Sequence, residues 1–178
     1  MYATIHKTLV TLFVSILYIG ISYAQPKSIG TAYSFSGICV SYEHSAKGDS
    51  FIEAEIKAEL SEVFVNRTDT PGASASFTWN YIFRKWTSAE GNTVHMYAGP
   101  GITAGICNDF KKPSGIFIGL KGRIGTECSF NSSNIIISAC LSPVIGTHMT
   151  LDDVHEMRYY RNGLLSSIMP EIGIRYMF

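Results

Sequence analysis

The stretch "GIFIGLKGRIGTECSF" constrains the fold more than any other, because its hydrophobic period is two and it holds that period for about 16 residues. Ile116, Ile118, Leu120, Ile124, Cys128 and Phe130 fall on one parity, while Lys121, Arg123, Gly125, Glu127 and Ser129 fall on the other. A pleated strand sends successive side chains to opposite faces, so this is one strand with an apolar face and a charged face. Soluble sandwich strands average only about 5 or 6 residues. A run this long is nearer to the ~9–11 residues that cross a bilayer at a tilt.

The same period recurs along the chain. In "FIEAEIKAELSE", Ile52, Ala54, Ile56, Ala58 and Leu60 oppose Glu53, Glu55, Lys57, Glu59 and Ser61. Helix formers are plentiful here, but strict alternation decides for strand over helix. "YSFSGICVSYEHS" alternates with a change of face near Gly37, and "ASFTWNYIFRKW", "VHMYAGPGITAGI" and "NIIISACLSPVIGTHM" follow the pattern, as does the closing segment "GLLSSIMPEIGIRYMF". Turn-like stretches separate them: "SAKGDS", "NRTDTPG", "TSAEGN", "NDFKKPS", "FNSS" and the longer "LDDVHEMRYYRN".

Composition and address agree with long strands in lipid. Charged residues are 16% of the 178, against roughly 25% in soluble domains, and 14 basic residues balance 14 acidic ones. No basic run argues for nucleic acid. The N-terminus carries His6 and Lys7, an apolar run from Leu9 to Ile21, and then Ser22, Tyr23, Ala24. That pattern predicts a cleaved signal peptide over 1–24 and a mature domain over 25–178, the apolar run being too short for a transmembrane helix. Cys39, Cys107, Cys128 and Cys140 are even in number in an exported chain, but each sits in an apolar alternating stretch without metal-ligand spacing. They read as small buried hydrophobes, with no metal or cofactor site.

Long strands, short turns and an export signal together predict an all-β fold, a closed antiparallel transmembrane β-barrel. Closure is required because hydrocarbon offers no partner to an unpaired backbone N–H or C=O. Seven strands are plain in the pattern; single-chain bacterial barrels have even numbers, and about 19 residues per strand and turn fit eight. The missing strand is expected near 25–37 or 150–163. The apolar parity then faces lipid and the charged parity fills the interior, where Glu53, Glu55, Glu59, Glu127 and Glu171 are expected to meet Lys57, Arg84, Lys121, Arg123 and Arg175. Trp86, Tyr97, Tyr159, Tyr160, Tyr176 and Phe178 are candidates for aromatic girdles at the membrane boundaries.

The closing "EIGIRYMF" resembles the terminal strand of outer-membrane β-barrel proteins, which end in an aromatic residue preceded by alternating apolar positions. "MYAGPGITAGI" and "GIFIGLKGRIGTECSF" are similar to small barrels of the OmpA, OmpX and OmpW kind and to the barrel domains of the Bacteroidetes. The resemblance implies residence in the bacterial outer membrane among its lipids, and recognition of the last strand by the barrel-assembly machinery through Ile172, Ile174, Tyr176 and Phe178. It implies no activity. The expected role is structural, or binding of an extracellular ligand by the loops, around a lumen filled with paired charges. A narrow pore is the first alternative, and a lipid-modifying enzyme drawing on His44, His95, His148 or His155 is weaker, because no serine stands beside them in a motif. A soluble lipocalin-like barrel would share the period but turn the apolar parity inward.

Overall fold

A computed structural model describes residues 27–66, 68–109, 114–150, 157–165 and 168–178. The expected signal peptide and His155 lie outside the described residues. The elements are β1 (Lys27–Ser34), β2 (Gly37–Ser45), β3 (Ser50–Glu59), a helical turn α1 (Ser61–Phe64), β4 (Gly72–Thr87), β5 (Thr93–Cys107), β6 (Gly115–Ser129), β7 (Ile135–Leu141), β8 (Val144–Thr150), β9 (Met157–Tyr159), a short helix α2 (Arg161–Leu165) and β10 (Glu171–Met177). No helix among the described residues is long and apolar enough to cross a membrane.

Every neighbouring pair is antiparallel, and β1 pairs with both β2 and β10, which closes the sheet. Among the described residues ten strands make eight staves. Against β6, β7 and β8 continue in one register, from Ile124↔Leu141 to Lys121↔Val144, and are separated only at Ser142–Pro143, where proline has no N–H to give the ladder. β9 and β10 lie in turn along β8 and β7 and share the last stave, with α2 between them. The stave missing from the sequence pattern is β1. Its end and the start of β2 read as one run because the face changes within it, where Ser36 and Gly37 are both buried. Pro170 sits just ahead of β10, where a missing N–H costs the ladder nothing.

The start of β1 is tied to the last residue: Phe178 N–H donates to the Lys27 carbonyl at 2.8 Å, and Lys27 N–H returns a bond at 3.3 Å. Both lie at the barrel end that holds the short connections 46–49, 88–92 and 130–134. The opposite end carries a two-residue turn at 35–36, and there β3 runs toward β4, β5 toward β6 and β8 toward β9 through longer stretches of sequence.

Outward residues are predominantly apolar, with Ile56 and Leu120 each 69% exposed. On β10, Ile172, Ile174 and Tyr176 point out, followed by Phe178, while Glu171 and Arg175 are buried. Trp86, Tyr159, Tyr176 and Phe178 are exposed, as girdle residues would be, but Tyr97 and Tyr160 are not: both are buried inside, where parity and the cap described below place them. That geometry, apolar without and charged within, is the arrangement of a transmembrane β-barrel.

Candidate functional site

The lumen is where the chain concentrates its polar chemistry. β3 sends Glu53, Glu55 and Lys57 inward, β6 sends Lys121, Arg123 and Glu127, and β10 sends Glu171 and Arg175. All eight are at most 8% exposed. Because alternation is strict on these staves, residues distant in sequence meet across the barrel.

Arg123 is the central tie. Its Nε lies 3.2 Å from Glu53 Oε2, Nη1 donates to Glu55 Oε2 at 3.0 Å, and Nη2 is 3.4 Å from Glu171 Oε1. Tyr97 stands beside it with its hydroxyl 3.5 Å from Nε, its ring edge-on to Phe51 at 5.0 Å. Toward the short-turn end, Arg175 donates to Glu53 Oε1 at 2.8 Å and to Glu127 Oε1, and its Nη1 is 3.2 Å from Glu43 Oε2. The second oxygen of Glu127 is 3.1 Å from His95 Nε2. Toward the long-loop end, Lys121 Nζ donates to both oxygens of Glu55 at 3.0 Å and to Ser76 Oγ at 2.9 Å. Lys57 Nζ donates to Ser36 Oγ at 2.6 Å and lies 3.9 Å from Glu171, while Ser74 Oγ donates to the half-buried Glu59 at 2.6 Å.

Arg84 is not part of this cluster. A bulge between Ile82 and Arg84 adds one residue to β4, which reverses its parity and turns Arg84 outward opposite Met96. There its guanidinium sits 5.4 Å from the Trp86 ring centroid. The same bulge brings Lys85 opposite His95, toward the mouth of the lumen. The expected balance of five against five is thereby changed: Glu43 enters, Arg84 leaves, and among the described residues Glu43, Glu53, Glu55, Glu59, Glu127 and Glu171 face Lys57, Lys121, Arg123 and Arg175. The signal for Glu43 was present, since counting by twos from Gly37 along β2 puts residues 39, 41 and 43 on one face.

The long-loop mouth is covered. Tyr160 stacks on Phe117 at 4.3 Å with 11° between the rings, and its N–H donates to the Gly146 carbonyl. Asp109 holds the start of α2 by accepting from the N–H groups of Arg161 at 3.0 Å and Asn162 at 2.9 Å. Beneath this cap remains a cavity of about 20 Å³, room for about one water. A second cavity of about 300 Å³ opens at the short-turn end. Between them Tyr97 and Asn80 are wholly shut off from solvent.

All four cysteines are free. Cys39, Glu55 and Glu171 offer donor atoms within 4.8 Å of one another, but Arg123 and Lys121 already supply the positive charge to those carboxylates. His148, also buried, has its Nε2 2.9 Å from the Cys107 carbonyl oxygen.

No protein-family model matches the chain, and no curated protein sequence matches it. Solved structures of similar shape are the N-terminal β-barrel domain of OprF from Pseudomonas aeruginosa, a major outer membrane protein from Thermus thermophilus, and Neisserial surface protein A. The first is 12% identical over 86% of this chain and 96% of its own, with a TM-score of 0.45. The second is 10% identical over 88% and 100%, at 0.47, and the third 12% over 86% and 94%, at 0.41. At these identities the likeness concerns fold alone.

Proposed function

We propose that this chain is an integral protein of a bacterial outer membrane, exported by the segment 1–24, with a plugged lumen and a structural or loop-mediated binding role. The single observation that carries the reading is the sorting of side chains: an exposed apolar belt surrounds a closed sheet whose charges are buried and paired. A lipocalin-like calyx would bury that belt. The row Ile172, Ile174, Tyr176 and Phe178 faces outward on the last stave, where the barrel-assembly machinery would read it before lipid covers it. The long-loop end would face outside and present the surface to an extracellular ligand. No catalytic role is assigned to His95 or His148, which face Glu127 and a backbone carbonyl.

Two measurements on purified protein test this. The folded barrel should require detergent and shift its gel mobility on heating; a protein that folds and stays soluble without detergent would overturn membrane residence. In planar bilayers it should give no steady current, since eight staves leave an interior that side chains fill. Steady, reproducible channels would overturn the plug in favour of a narrow pore.

A further inference from the structure

The cavity of about 300 Å³ at the short-turn mouth is built of three chemically distinct parts. Its inner part carries Ser28 and Glu43, direct partners across the β1–β2 ladder. Ser28 is 2% exposed, and its hydroxyl has no hydrogen-bond partner. Glu43 Oε2 is also buried and receives no hydrogen bond, although Arg175 lies 3.2 Å away. That arginine is shared with Glu53, which also meets Arg123, and with Glu127, which has His95 on its far side, so it is divided among three carboxylates and is Glu43's one ion pair among the described residues. The inner part therefore has acceptors to spare and is short of positive donors. The walls come from Phe51, Ile82 and Ile136, and are apolar. The rim carries Lys27, Lys85 and Asp49, two positive charges to one negative.

We propose that this mouth binds a small zwitterion with an apolar side group, of the amino-acid class, ammonium inward on Glu43 and Ser28 and carboxylate outward toward Lys85. An ammonium carries three donors, enough to satisfy both orphaned acceptors at once. A bare cation would meet the rim lysines without compensation, and a bare anion would meet Glu43 and Glu127. The apolar walls accept a branched aliphatic group, and the volume lies at the small end of the range for ligand pockets.

The probe is L-leucine, titrated into the folded full-length barrel in detergent micelles and followed by calorimetry and by amide NMR shifts. Its halves serve as controls: 3-methylbutylammonium lacks the carboxylate and 4-methylpentanoate lacks the ammonium. Leucine should saturate, with shifts around Ser28, Glu43 and His95, and each half should bind at least about tenfold more weakly. Glu43→Gln should weaken leucine by about tenfold or more and Lys85→Gln by several-fold. Ser28→Ala, which removes a hydroxyl with no partner in the fold, should leave heat-modifiable mobility unchanged and weaken leucine several-fold. The proposal is overturned by the absence of saturation, by halves that bind as well as leucine, or by unchanged leucine binding in Glu43→Gln or Ser28→Ala that still folds.

Discussion

Arg175→Met isolates what the ion-paired lumen does for stability. Methionine keeps much of the volume and removes the charge that Glu43, Glu53 and Glu127 share. At the 2.8 Å contact with Glu53, the gross attraction is about 6 kcal/mol at an effective dielectric of about 20, most of it offset by desolvation. The loss that matters is the carboxylate left behind, and breaking one partner out of a buried pair destabilises by about 3–5 kcal/mol. With three carboxylates affected, the upper part of that range is expected. Adding Glu43→Gln and Glu127→Gln should return more than half of the loss, because Glu53 keeps Arg123 and the carboxylates that lose their only guanidinium are then gone. Urea unfolding of barrels folded into phospholipid vesicles reads this directly, since Trp79 and Trp86 both face outward and report the move from lipid to water. If Arg175→Met lies within about 1 kcal/mol of the parent, or the triple variant is no better than the single, the lumen is not held as argued.

Leu120, outward on the middle of β6, should tolerate arginine poorly: Leu120→Arg is expected to lose about 2–4 kcal/mol in the same assay, and Trp86→Arg near the short-turn boundary only about 0–1. A Cβ added at Gly99 would overlap the Trp79 carbonyl oxygen and come within 2.7 Å of Asn80 Cα, so Gly99→Ala should lose about 1–3 kcal/mol. Gly122→Ala, whose nearest neighbour is Pro143 Cγ at 3.3 Å, should lose less. Deletion of Phe178 should leave export across the inner membrane intact and reduce surface-accessible barrel in cell fractionation; normal surface levels would remove the terminal residue from the assembly signal.

Alternation made the two faces of β3, β6 and β10 legible because on these staves the period never breaks. It failed at three places, each with a local cause. The bulge at Ile82–Arg84 adds a residue that composition does not announce, so Arg84 was expected inside and lies outside. The face change at Ser36–Gly37 hid β1 within a run that looked like one strand, and the same change fixes Glu43 inside. Tyr160 follows β9 as the chain leaves the ladder for α2, and its burial comes from stacking on Phe117, a contact 43 positions away that no local pattern encodes. The pairing pattern among the charges was likewise beyond the sequence. Parity says which charges go inside; the register of eight staves decides that Arg123 takes Glu53, Glu55 and Glu171 rather than Glu59.

Closure and filling meet on the final stave. β10 supplies the ladder that joins β7 to β1, and its inward residues supply Glu171 and Arg175 to carboxylates and cations from β2, β3 and β6. Before β10 docks, β1 has an open edge and Glu43, Glu53 and Glu127 lack their shared guanidinium. Docking removes both penalties in one step. The two parities of "EIGIRYMF" thus have separable duties. Ile172, Ile174, Tyr176 and Phe178 face outward, where the assembly machinery proposed above would have access before lipid; Arg175 reaches its carboxylates only once the ring is shut. Loss of Phe178 should therefore lower the yield of barrel without weakening the barrels that form, whereas Arg175→Met should form barrels that unfold more easily.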